Sequence, residues 1–178
     1  MKVYPPSAIA LGLVLIMACA SMERSLVQPE LWSNPDEGVN VTRAGVRIGS
    51  STLELPTTEA RLIEILGQPD RRSTLQNTIL VWDHLGMFAY ETPGTESIDS
   101  IAVSFTCRDV DYCPKNTYPG VLVVDDAVFW KEPQLRDIVR YGFRADEFFC
   151  YRSVGKYQVS VGCTEGSLGL GTFEIALK

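Results

Sequence analysis

Val121-Leu122-Val123-Val124-Asp125-Asp126-Ala127-Val128-Phe129-Trp130 holds two short apolar runs around an acidic pair, the pattern of two strands joined by a tight turn. Val46-Arg47-Ile48-Gly49-Ser50-Ser51-Thr52-Leu53-Glu54-Leu55 has the same build earlier in the chain. A helix is predicted after each. The first starts from a Thr57 or Thr58 cap, carries Leu62, Ile65 and Leu66 on one face, and stops at Gly67 and Pro69. The second starts near Pro133, repeats the spacing with Leu135, Ile138 and Val139, and stops at Gly142. A hairpin follows in both halves. Val81-Trp82-Asp83-His84-Leu85-Gly86-Met87-Phe88 overlays Cys150-Tyr151-Arg152-Ser153-Val154-Gly155-Lys156-Tyr157 without a gap, and a third strand closes each unit, Ile98 to Phe105 and Leu170 to Leu177.

These units predict an α+β fold of two tandem repeats, spanning 46–120 and 121–178, with helices on one face of a curved antiparallel sheet. Period-two alternation assigns the faces. Phe148, Cys150, Tyr157, Val159, Val161, Phe173, Ile175 and Leu177 fall on one side and are expected beneath helix. Lys156, Gln158, Ser160, Thr172 and Glu174 fall on the other. Carried across the gapless overlay, the core set in the first half is Ile79, Val81, Phe88, Tyr90, Ile101, Val103 and Phe105. Leu80, Trp82, Met87, Ala89 and Ala102 are then left on an open face, joined by Phe149 and Tyr151. Aromatic residues and methionine are enriched at the centres of protein interfaces, so Trp82, Met87, Phe149 and Tyr151 are the expected protein-binding residues.

Before the repeats, an apolar run from Ala8 to Ala18 follows Lys2 and ends in Ile16-Met17-Ala18-Cys19. The run has the length of a signal-peptide core and is too short to span a bilayer as a helix. The four residues resemble the lipobox of bacterial lipoproteins. That resemblance implies removal of residues 1–18 and lipidation of Cys19, with Met17 standing where a smaller residue is usual. Ala20, rather than an acidic residue, follows the cysteine, which implies the periplasmic face of the outer membrane. Residues 19–45, polar and punctuated by Pro29, Pro35 and Gly38, read as the lipidated end and a tether.

The remaining cysteines are Cys107, Cys113, Cys150 and Cys163, an even set suited to two disulfides in an oxidising compartment. Cys107 and Cys113 would staple the loop between them. Pairing Cys150 with Cys163 is harder: a hairpin turning at Val154-Gly155 places Cys150 opposite Val159, so the hairpin must end or bend before Cys163, and pairings between the halves stay open.

Catalytic chemistry is sparse. The chain has one histidine, His84, and it falls in a turn, so neither a Ser-His-Asp nor a zinc site is expected. Asp125-Asp126 reads as turn chemistry. Asp109 and Asp111 alternate between two cysteines but lack the full oxygen set of a calcium loop. No cofactor is expected, and a formal charge of −6 disfavours nucleic acid as a partner.

The helix exit Ile65-Leu66-Gly67-Gln68-Pro69-Asp70, followed by strands, together with the tandem arrangement, resembles the beta-lactamase inhibitor protein and the small lipoproteins of the outer-membrane barrel assembly machinery. The resemblance implies a binding role rather than an enzymatic one. Two functions follow as expectations: an inhibitor or immunity lipoprotein against a periplasmic toxin or enzyme, or a scaffold for envelope assembly and maintenance.

Overall fold

The computed structural model describes residues 38–74, 77–107, 110–163 and 171–178. Its elements run β1 (Val39–Thr42), β2 (Gly45–Ile48), β3 (Ser51–Leu53), β4 (Thr57–Thr58), α1 (Glu59–Leu66), β5 (Arg71–Ser73), β6 (Ile79–Trp82), β7 (Met87–Glu91) and β8 (Ser97–Ser104). They continue with β9 (Leu122–Val124), β10 (Ala127–Phe129), α2 (Leu135–Arg140), β11 (Arg144–Ala145), β12 (Phe149–Val154), β13 (Tyr157–Gly162) and β14 (Thr172–Leu177).

The strands make two sheets. The larger has nine strands, in the order β11-β12-β13-β14-β8-β7-β6-β5 with β4 beside β8. It is two antiparallel meanders joined through their last strands, where Ile175 faces Ile101 and Glu174 faces Ala102. The smaller has five, in the order β10-β9-β1-β2-β3. An isolated two-stranded hairpin has unpaired edges and is marginal alone. Here β1 supplies both hairpins with a shared partner, antiparallel to β2 and parallel to β9.

This arrangement corrects the expected fold class. The molecule is sheet-dominated, not an α+β fold whose helices cover the sheet. Each helix is short and buries one residue, Leu62 in α1 and Ile138 in α2. The cover on the core face comes mainly from the five-stranded sheet. Its Val39, Val41, Val46, Leu53, Leu122, Val124 and Phe129 share one cluster with Trp82, Ile101, Val103, Val159, Phe173 and Ile175 of the larger sheet. Two further expectations fail with it. Residues 39–42, assigned to the tether, form the central strand β1, with Val39 and Val41 fully buried. Leu135 and Val139 of α2, expected in the core, are exposed.

The helix α1 does keep its predicted ends. The Thr58 hydroxyl accepts from the Arg61 N–H at 3.3 Å, and Gly67, at φ 81°, closes the last turn by donating to the Ile63 carbonyl.

The faces of β6 and β7 are the reverse of those predicted. Leu80, Trp82, Met87 and Ala89 lie in the main core, while Ile79, Val81 and Phe88 join Ala102 in a small cluster on the other face. The cause is loop length. In β6–β7 the last pair is Trp82 with Met87, leaving four residues in the turn; in β12–β13 it is Val154 with Tyr157, leaving two. The gapless overlay matched Phe88 to Tyr157, whereas Met87 holds that place. A one-residue slip sends every side chain of a strand to the opposite face. On the undisturbed strands Ile101, Val103, Phe105, Cys150, Tyr157, Val159, Val161, Phe173 and Ile175 are core residues, but Phe148 and Leu177, expected with them, are exposed.

Candidate functional site

One face of the nine-stranded sheet packs on the core, and a row of paired residues crosses its other face from edge to edge. Reading across, the row is Arg144, Tyr151, Ser160, Glu174, Ala102, Phe88, Val81 and Arg71. The two halves of this face differ. Over the first half, Ile79, Val81, Phe88 and Ala102 are buried, with Tyr90 and Tyr112 packed against them. The Tyr112 ring stands 5.6 Å from Phe88 and 6.2 Å from Tyr90. Tyr112 belongs to the loop closed by a Cys107–Cys113 disulfide, as predicted.

A charged clasp holds that loop down. Arg71 on β5 bonds the Asp83 carboxylate through Nε at 3.0 Å and donates to the carbonyls of Asp111 and Cys113. Asp83, in the β6–β7 turn, also accepts from the Lys115 N–H at 2.9 Å. Burial pushes the Asp83 carboxyl pKa up, but its bonds to Arg71 and Lys115 outweigh this and hold it below the usual carboxylate value. Beside it, Gly86 at φ 65° lets the returning chain pass, since a Cβ there would meet the Tyr118 backbone N at 2.2 Å. A second disulfide joins Cys150 to Cys163 with Cα atoms 5.6 Å apart. The turn lies at Gly155-Lys156, one residue later than expected, so Cys150 faces Val161 and the diagonal position beyond it is Cys163. Pairings between the halves are thereby removed.

Where the first half meets the second, over which none of the described loops folds, Ala102, Ser160, Gly162, Thr172 and Glu174 floor a depression. Phe88 and Tyr90 stand on one side of it and Phe149 on the other. Small residues along the middle strands, with rings on either side, produce this relief. Glu174 is half-buried there, and among the described residues nothing donates a hydrogen bond or forms an ion pair to its carboxylate. Its charge is felt nearby: burial chiefly, then Tyr112 and Glu174, raise the Tyr90 hydroxyl pKa above its ordinary value.

The predicted binding residues therefore separate. Trp82 and Met87 are core residues, and the Trp82 indole N–H donates to the Gly67 carbonyl at 2.8 Å, so neither can meet a partner. Phe149, 41% exposed, and half-buried Tyr151 lie on the second half of the face. Cys19 and the lipobox lie outside the described residues. Ser160 and Glu174 lie on the outer face, where alternation puts them. The place of Tyr90 depends on the length of the β6–β7 turn, and that of Tyr112 on a disulfide loop folding back over the sheet, for which the sequence carries no local signal.

Elsewhere, charges serve structure. His84 bonds the Asp70 carboxylate through Nδ1 at 2.7 Å, an exposed contact that lowers the Asp70 pKa. Asp125, at φ 60°, and Asp126 form the β9–β10 turn and receive Arg152 from the larger sheet at 3.1 and 2.6 Å. Among the described residues no three His, Cys, Asp or Glu side chains group as metal ligands, and no helix is long and apolar enough to cross a membrane. Asp109 of the considered calcium pair lies outside the described residues.

Residues 38–138 match the family model described as a domain of unknown function (DUF7738), and the chain belongs to that family. The matched stretch contains all of the five-stranded sheet and the first meander of the larger one. No curated protein matches the chain. No solved structure matches it either.

Proposed function

We propose that this chain is a lipid-anchored envelope protein that binds and blocks another protein, a toxin or enzyme in the periplasm, through the second half of its outer sheet face. The observation carrying this proposal is the depression around Glu174: a carboxylate without a protein partner among the described residues, set between aromatic rings on the sheet. Aromatic anchors around a partly desolvated charge are the composition of an interface centre. The negative floor favours a partner presenting a lysine or arginine, whose cation would meet both the carboxylate and the ring faces. The two disulfides are compatible with an exported protein. Lipidation of Cys19 rests on the lipobox resemblance alone.

The test is recovery of a partner from envelope extracts by wild type, Phe149→Ala and Glu174→Lys. A single protein retained by wild type and lost with both variants supports the site. Equal retention by all three removes it. Intact-mass measurement of wild type against Cys19→Ser examines the anchor independently. A captured resident envelope component, rather than an enzyme that the wild-type chain inhibits, would favour the scaffold role over inhibition.

A further inference from the structure

On the floor of the depression two polar side chains stand side by side without protein partners. Glu174 on β14 pairs directly with Ser160 on β13, which sets their Cβ atoms about 5 Å apart on the outer face. Both are half-buried, and among the described residues no hydrogen bond engages the Glu174 carboxylate or the Ser160 hydroxyl. The third polar residue of the floor differs. The Thr172 hydroxyl donates to the Thr106 carbonyl at 3.2 Å and lies 3.0 Å from the Ser104 hydroxyl. On the other side of Glu174 its strand partner is Ala102, whose side chain ends at Cβ and leaves room above the sheet.

Aromatic rings flank this pair. Half-buried Tyr90 stands on one side of the floor and Phe149 on the other, while Tyr151 is the direct strand neighbour of Ser160. Phe88 is buried and offers no face. A cation entering here must shed water, meet the rings, and share its N–H groups between a carboxylate and a hydroxyl one strand away. An ammonium is compact and strongly hydrated, and its donors radiate from a single nitrogen. A guanidinium is planar and more weakly hydrated, carries five N–H groups in a fork, and stacks on aromatic faces. It can hold the carboxylate through two parallel bonds while a remaining N–H reaches the hydroxyl. A neutral side chain would desolvate the carboxylate without compensation.

We infer that the depression is a subsite for an arginine side chain, with Glu174 as its charge partner and Ser160 as the residue that distinguishes arginine from lysine. The inference rests on the binding role proposed for this face and narrows the partner to a protein that presents an exposed arginine. Tyr90 and Phe149 set the sides between which the guanidinium plane enters.

Chemical-shift titration of the isotope-labelled full chain, with both disulfides formed, tests it. The probes are N-acetyl-arginine amide and N-acetyl-lysine amide at matched ionic strength. Saturable shifts are expected at the Ser160 and Glu174 amides, with arginine bound about fivefold more tightly, the worth of one further hydrogen bond. Ser160→Ala should bring the two probes within about twofold of each other. Glu174→Gln should abolish saturable binding of both while its dispersed spectrum reports an intact fold. Equal affinities in the wild type, tighter lysine, a preference that survives Ser160→Ala, or no saturable shift at these amides would overturn the inference. Partner capture separates this from the blocking role. A partner lost with Phe149→Ala and Glu174→Lys, while both probes bind equally, rejects arginine selectivity alone. Arginine selectivity with no partner recovered supports the subsite and rejects the blocking role alone.

Discussion

At the scale of single residues, Trp82 and Phe149 show how differently two aromatic side chains from one predicted patch behave. Trp82 is wholly buried and spends its N–H on the end of α1, so Trp82→Ala removes both packing and a hydrogen bond. A loss of about 3–5 kcal/mol is expected in denaturant unfolding. Phe149→Ala should stay within about 0.5 kcal/mol of wild type while weakening partner binding. Tyr157 offers the opposite experiment. Among the described residues its hydroxyl is the one buried side-chain polar atom left without a partner. Tyr157→Phe removes a desolvated group and should leave stability equal or raise it by about 1 kcal/mol, measured by thermal unfolding. A clear drop in Tm would mean that the hydroxyl is satisfied in solution.

At the scale of elements, the clasp between β5, the β6–β7 turn and the disulfide loop makes the covered half depend on pH. The folded-state pKa of Asp83 lies below its unfolded value of about 3.8. The stabilisation is therefore present above that value and is lost as pH falls through the folded pKa. Acid should release the loop first, seen as loss of the Tyr112–Phe88 signal in near-ultraviolet circular dichroism. Asp83→Asn should show that release already at neutral pH, with the acid transition flattened. An unchanged acid profile in the variant would place the sensitive group elsewhere. Reducing or replacing the Cys107–Cys113 pair frees the same loop and is expected to cost about 2 kcal/mol by chain entropy.

The elements also show what the sequence made legible. The hairpins β2–β3 and β9–β10 were readable because alternation runs on both sides of a turn, and α1 because its cap and closing glycine are local signals. The faces of β6 and β7 were not, because parity depends on how many residues the turn takes, and Asp83 is held in its turn by the distant Arg71 and Lys115. The pattern Val39-Asn40-Val41-Thr42 does alternate, but four residues between glycine-rich neighbours carry no signal of their distant partner β9. The site suffered for the same reason. Glu174 and Ser160 were placed on the correct face, while the rings beside them depended on the misassigned β7 and on a loop folded back over the sheet.

At the scale of the whole molecule, β1 unites what look like two separable halves. A chain starting at Gly45 would lose the strand between β2 and β9, exposing Val46, Leu53, Leu122 and Val124. Such a chain is expected to remain unfolded by circular dichroism, whereas one starting at Asn34 should fold; a cooperative transition in the shorter chain would contradict this. The position of β1 also has a mechanical meaning. A pull transmitted through the chain ahead of Val39, along the strand, would load its backbone bonds to β2 and β9 together, in shear on both sides. Shared loading resists rupture better than peeling one bond at a time. A load applied from this side would have to break both ladders before the first strand could be drawn out of the fold.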